Sequence, residues 1–151
     1  MENQVHSNNL INVIERQRQR FHSAFELAPI ATFIMSDQGI VMDLNDQAEK
    51  MLESPKSTVI GMYFVDFTHP KDKIESLQVA NRAKSTGIPQ KMLKTYITAK
   101  RKLIDSETTV NYVEKNGDSY FITQSADITE KQAVKAKVME TLNGIREISN
   151  R

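Results

Sequence analysis

Cysteine and tryptophan are both missing from the 151 residues. Without a thiol there is no thiolate nucleophile, no Cys-based zinc site, no iron–sulfur cluster and no disulfide. No apolar run approaches the roughly 20 residues of a membrane-spanning helix, and no signal-peptide pattern opens the chain. The expectation is a soluble cytoplasmic protein whose sequence makes no membrane contact. An excess of one charge is lacking too: 20 Lys+Arg stand against 19 Asp+Glu, a net charge of +1, which removes the electrostatic case for a dedicated nucleic-acid binder. Glycine and proline number only 5 and 4, and none of the glycines forms a phosphate loop or nucleophile elbow. Asp43, Asp46 and Glu49 lie close together but at a strand-to-helix junction, where carboxylates cap backbone groups. The expectation is a non-catalytic chain with no metal site.

What is present is ordinary globular material, 39% hydrophobic and 26% charged, at a length that suits one domain. Residues 1–28 form an N-terminal amphipathic segment, in which the apolar residues fall at helical spacing from about Asn9 to Ala28. Leu10, Ile14, Gln17, Phe21, Ala24 and Ala28 follow a heptad seam with one polar interruption at Gln17, which fits either packing on its own domain or a parallel dimer contact. We take Leu10, Ile14, Gln17 and Phe21 as the dimer face and expect a homodimer.

Residues 29–128 mix strands and helices. Ala31–Met35 and Ile40–Leu44 are strand-like around the turn Asp37-Gln38-Gly39, a hairpin. Asn45 offers an N-cap for a short helix through Leu52, and Ser54-Pro55 a second cap with proline at the first helical position. His69-Pro70 starts a longer helix that presents Ile74, Leu77, Ala80 and Asn81 on one face and ends at Gly87. Strand material follows at Met92–Tyr96, Leu103-Ile104, Thr108–Val113 and Tyr120–Ala126, with Asn116-Gly117 as the strongest hairpin turn. Lys91, Lys94, Lys100, Arg101 and Lys102 read as one wet, basic face.

Residues 129–151 are helical again. Asp127-x-x-Glu130 and Thr129-x-x-Gln132 both fit a capping box, and Val134, Val138, Leu142, Ile145 and Ile148 form a stripe. The stripe runs to the end with no C-cap, which reads as a fragment of a longer protein. The layout is α+β: an antiparallel sheet with short helices on one face, flanked by N- and C-terminal amphipathic helices.

Several strings, taken in order, resemble the PAS family of sensory domains: Phe25–Ala31, Asp37–Ile40, Asn45–Ala48, Gly61, His69–Asp72 and Asp127–Gln132. The resemblance implies a five-stranded antiparallel sheet curved around helices, a small-molecule pocket and dimerising flanking helices. It implies a signal junction at Asp127, Ile128 and Thr129, and a signalling domain downstream in the same chain or on a partner. The family's known cofactors can be checked. A covalent LOV-type flavin needs a Cys where Phe64 stands, and Ser125 stands where those photosensors carry a Gln. Flavin-binding aerotaxis domains rely on tryptophans. A haem PAS needs a proximal His on the long helix, where Glu75-Ser76-Leu77 stands. Covalent flavin is excluded, haem and non-covalent flavin are disfavoured, and the ligand is left open. Asn143–Arg151 is similar to the helix leading into the signalling tip of methyl-accepting chemotaxis receptors.

Pocket candidates are Met35, Met42, Met51, Met62, Phe64, Phe67, Leu77, Met92 and Ile122, since Met-rich interiors adapt to apolar guests or simply pack. Polar contacts are expected from Asn81 and from either Thr123 or Gln124, only one of which can face inward; Gln124 is the choice here. Two functions follow: a small-molecule sensor relaying through its flanking helices, or a ligand-free PAS domain used for dimerisation and relay.

Overall fold

A computed structural model describes residues 2–149. Helix α1 (Glu2–Leu27) is followed by strands β1 (Ala31–Ser36) and β2 (Val41–Leu44), helices α2 (Asp46–Leu52) and α3 (Lys56–Val59), and two 3-10 turns, Phe64–Phe67 and Pro70–Asp72. Helix α4 (Lys73–Thr86), strands β3 (Gln90–Ile97), β4 (Leu103–Lys115) and β5 (Asp118–Asp127), and helix α5 (Thr129–Ser149) complete the order. The sheet is five-stranded and antiparallel in the order β2-β1-β5-β4-β3.

The turns explain the boundaries. Asn116 and Gly117 both have positive φ, +53° and +78°, the geometry of a two-residue hairpin that matches strand twist. Asn45 caps α2: its Oδ1 accepts from the N–H of Ala48 at 3.1 Å and of Thr32 at 2.9 Å, while Nδ2 donates to the carbonyl of Ile30 at 2.9 Å. One buried side chain thus joins a helix start to the strand beside it. Four sequence expectations change. Pro55 itself is the N-cap of α3, with no side-chain cap from Ser54. The His69-Pro70 start is a separate 3-10 turn in which His69 Nδ1 accepts from Lys71 N–H, so α4 begins at Lys73. The two pieces expected at 103–104 and 108–113 are one continuous β4, since Ser106 pairs with both Lys94 and Asp127. Helix α1 starts at Glu2, ahead of the expected Asn9, because nothing between them breaks a helix.

The core lies between the sheet's inner face and helices α2 to α4. Phe33, Phe67 and Tyr96 form its aromatic centre, with ring centroids 5.7–6.2 Å apart, and Leu44, Val59, Val79 and Ala83 close it. By contrast α1 and α5 hold no buried residue. The last turn of α1 is nonetheless tied down: Lys56 Nζ lies 2.6 Å from Glu26 Oε1 and 2.9 Å from Asp43 Oδ1. Burial alone would lower the lysine's pKa, but the two carboxylates outweigh it and hold it above its ordinary value. No helix among the described residues is long and apolar enough to cross a membrane.

Candidate functional site

Between α4, the β1–β2 turn and the inner face of the sheet lies a cavity of about 110 Å³. Met35, Met92, Val110, Phe121 and Thr123 form its floor on the strands, and Tyr63 and Phe64 one wall. The exposed residues Asp37, Gln38, Leu77, Asn81 and Lys84 form its rim. Gly39 is required at the turn. Its φ is +85°, and a Cβ there would stand 2.7 Å from Phe64 Cδ1 and 2.9 Å from Tyr63 Cε2.

Of the residues proposed from sequence, Met35, Phe64, Leu77, Asn81 and Met92 meet around this cavity. Met51, Met62 and Phe67 do not; Met51 and Phe67 are buried in the core, and Met62 packs half-buried against it. Met42 is a correction. It is 46% exposed, because the register of β1 against β2 shifts between Ile34 and Met35 and buries Val41 and Leu44, three residues apart, in place of an every-second-residue pattern. Ile122 and Gln124 are also corrected. Phe33 pairs with Thr123 and Ile34 with Ile122, so Phe121, Thr123 and Ser125 face inward and Ile122 and Gln124 face the other side.

Lys94 departs from the wet basic face that the sequence predicts for it and Lys91: Lys91 is exposed, whereas Lys94 is only 5% exposed. The two stand three apart on one strand and so point to opposite faces. The signal was available in Met92-x-Lys94-x-Tyr96, an alternation that carries the lysine inward. Its ammonium sits 4.9 Å from the Tyr96 ring centroid and 5.1 Å from that of Phe64. Cation–π attraction partly offsets the cost of burial there.

Beneath Lys94 a row of hydroxyls crosses the sheet. Tyr96 Oη is 2.7 Å from Ser125 Oγ, which is 2.9 Å from Thr108 Oγ1, itself 2.9 Å from Ser106 Oγ. Ser106 donates to the carbonyl of Lys94 at 2.8 Å. Because that bond uses the only proton of Ser106, the direction is fixed along the row: Thr108 donates to Ser106, Ser125 to Thr108, and Tyr96 to Ser125.

The junction Asp127, Ile128 and Thr129 continues from the same strand. Asp127 Oδ1 accepts from Thr129 N–H at 2.9 Å, and Ile128 N–H donates to the Asp105 carbonyl at 2.8 Å. Thr129 Oγ1 accepts from Asp105 N–H at 2.9 Å. The expected capping boxes therefore give way to another arrangement: Asp127 reaches the second residue beyond it, and Thr129 turns back to β4. Asp105 in turn accepts from Thr95 Oγ1 at 2.9 Å, and Thr95 N–H donates to Asp72, just ahead of α4, at 2.8 Å. A hydrogen-bonded path thus runs from the start of α4 through Thr95 and Asp105 to the first residue of α5. Leu10, Ile14 and Phe21 stand 54–76% exposed on α1, and Gln17 is exposed beside them. Among the described residues no group of three or more His, Asp or Glu could hold a metal ion.

The strand order, the cavity under the helices and a terminal helix continuous with the last strand together define a PAS-type sensory module. The chain belongs to the PAS family: the model of the PAS fold matches residues 19–127. Solved structures agree on the fold. The PAS domain of an HTR-like protein from Haloarcula marismortui is 18% identical, with a TM-score of 0.72, over 80% of this chain and 99% of that one. A domain of a sensory box sensor histidine kinase/response regulator from Geobacter sulfurreducens is 17% identical, with a TM-score of 0.64, over 76% and 96%. The PAS domain of a LuxR-family transcriptional regulator from Burkholderia thailandensis, solved in complex with ethanol, is 18% identical, with a TM-score of 0.61, over 72% and 97%. A comparison with curated proteins finds no match.

Proposed function

We propose that this PAS domain is a regulatory sensor: a small molecule in the cavity changes the inner face of the sheet, and α5 carries the change to a downstream signalling domain. Residues 1–28 would supply the dimerising helix, 29–128 the sensor and 129–151 the signalling helix. The observation that carries the reading is the cavity sharing β3 with the path to Thr129: Lys94 lines the cavity and Thr95 beside it holds Asp105. The ethanol complex of the Burkholderia thailandensis domain supports a guest of this small size. A ligand acts only through its difference in affinity for the two states, with about 1.4 kcal/mol shifting their ratio tenfold. The resemblance of Asn143–Arg151 to chemotaxis receptors favours that kind of output in a cytoplasmic setting.

A second reading, a ligand-free PAS domain serving dimerisation and relay, is favoured by the uncovered apolar residues on α1 and α5, among them Phe21 at 76% and Ile148 at 71% exposed. Native mass spectrometry separates the two: a retained small molecule supports sensing, and an empty domain under all conditions supports pure relay. Both readings expect a dimer by light scattering at micromolar concentration, converted to monomer by Ile14→Glu with Phe21→Glu. A wild-type monomer contradicts both.

A further inference from the structure

We infer that the cavity takes a small carboxylate, held by Lys94; this deepens the sensing reading and rests on it. Lys94 is the only cationic side chain in the cavity that is buried, at 5% exposed, and no carboxylate lies within 4.0 Å of it among the described residues. The aromatic rings of Phe64 and Tyr96 stabilise the charge only in part, whereas a buried cation ordinarily requires a paired anion. The other charged groups at the cavity, Asp37 and Lys84, are exposed on its rim, so neither neutralises the interior.

The surroundings suit a short acid. The Ser76 hydroxyl is buried on the opposite wall and reaches only Met92 Sδ, at 3.8 Å, a weak partner that a carboxylate oxygen would replace. Thr123 is buried on the floor, and the remaining floor is apolar. A cavity of about 150 Å³ holds benzene, so about 110 Å³ suits a guest of roughly four or five non-hydrogen atoms by the same scale. The carboxylate would sit on Lys94 and the alkyl tail against Met35 and Phe121.

The test uses the whole chain and two probes of nearly equal shape, propionate and propionamide, at constant ionic strength by isothermal titration calorimetry. Propionate is expected to bind at least tenfold more tightly than propionamide, with Lys94→Met erasing that preference and Lys94→Arg retaining part of it. Equal binding of the two probes, or a preference untouched by Lys94→Met, overturns the carboxylate assignment and leaves the sensing reading standing. No binding of either probe, with a domain that is empty by native mass spectrometry, overturns both. Should Lys94→Met fail to fold, the Lys94 Nζ resonance of the wild type decides: propionate must shift it, and a resonance indifferent to propionate overturns the inference.

Discussion

Asn45→Ala is expected to lower the unfolding free energy by about 3 kcal/mol. The side chain is 0% exposed and makes three hydrogen bonds, to the N–H groups of Thr32 and Ala48 and to the carbonyl of Ile30. Loss of a helix N-cap costs about 0.5–2 kcal/mol, and each buried polar group left without a partner costs about 1–3 kcal/mol. The contributions overlap, because one side chain supplies them all. Ser or Asp would keep the cap but not the bond to Ile30, so Asn45→Asp should fall between Ala and the wild type. Urea unfolding measures the series; a loss below about 1 kcal/mol for Ala would show that water replaces the side chain.

Gly39→Val is expected to cost a similar amount, about 3 kcal/mol from backbone strain and overpacking together. It is also expected to deform the cavity. The left-handed φ of +85° disfavours any side chain, and the first carbon would already meet Phe64 and Tyr63 below 3.0 Å. Phe64 must then move off the cavity wall, carrying with it one of the two rings that flank Lys94. Thermal melts and the methyl resonances of Met35 and Met92 report the two effects. Unchanged methyl shifts would mean that the turn yields and the cavity does not depend on it.

The sequence revealed the fold where local chemistry and burial agree. Asn45, Gly87 and Asn116-Gly117 are turn or cap residues whose roles follow from backbone geometry alone, and Phe33 and Met35 alternate as a half-buried strand should. It misled where the interior is polar. Hydropathy favours Ile122 over Thr123, but the inner face here is lined with Thr123, Ser125, Thr108 and Ser106, three of which satisfy one another through hydrogen bonds. Charge misled in the same way at Lys94, whose parity with Met92 and Tyr96 was the better guide. Met42 was illegible because a register shift in the neighbouring pairing leaves no periodic trace. The role of Thr129 was visible only as a capping residue, since its partner Asp105 lies 24 positions earlier.

Hydrogen exchange at the amides of Asp105, Ile128 and Gln132, compared between wild type and Thr95→Val, probes the link from sheet to helix directly. Thr95 bonds Asp105 but makes no hydrogen bond to α5. Losing one bond worth about 1 kcal/mol should speed exchange at those amides by about two- to fivefold. Thr109→Val, on the same sheet but off the path, should leave them unchanged. Identical exchange in Thr95→Val and the wild type would contradict a connection through Asp105 and Thr129.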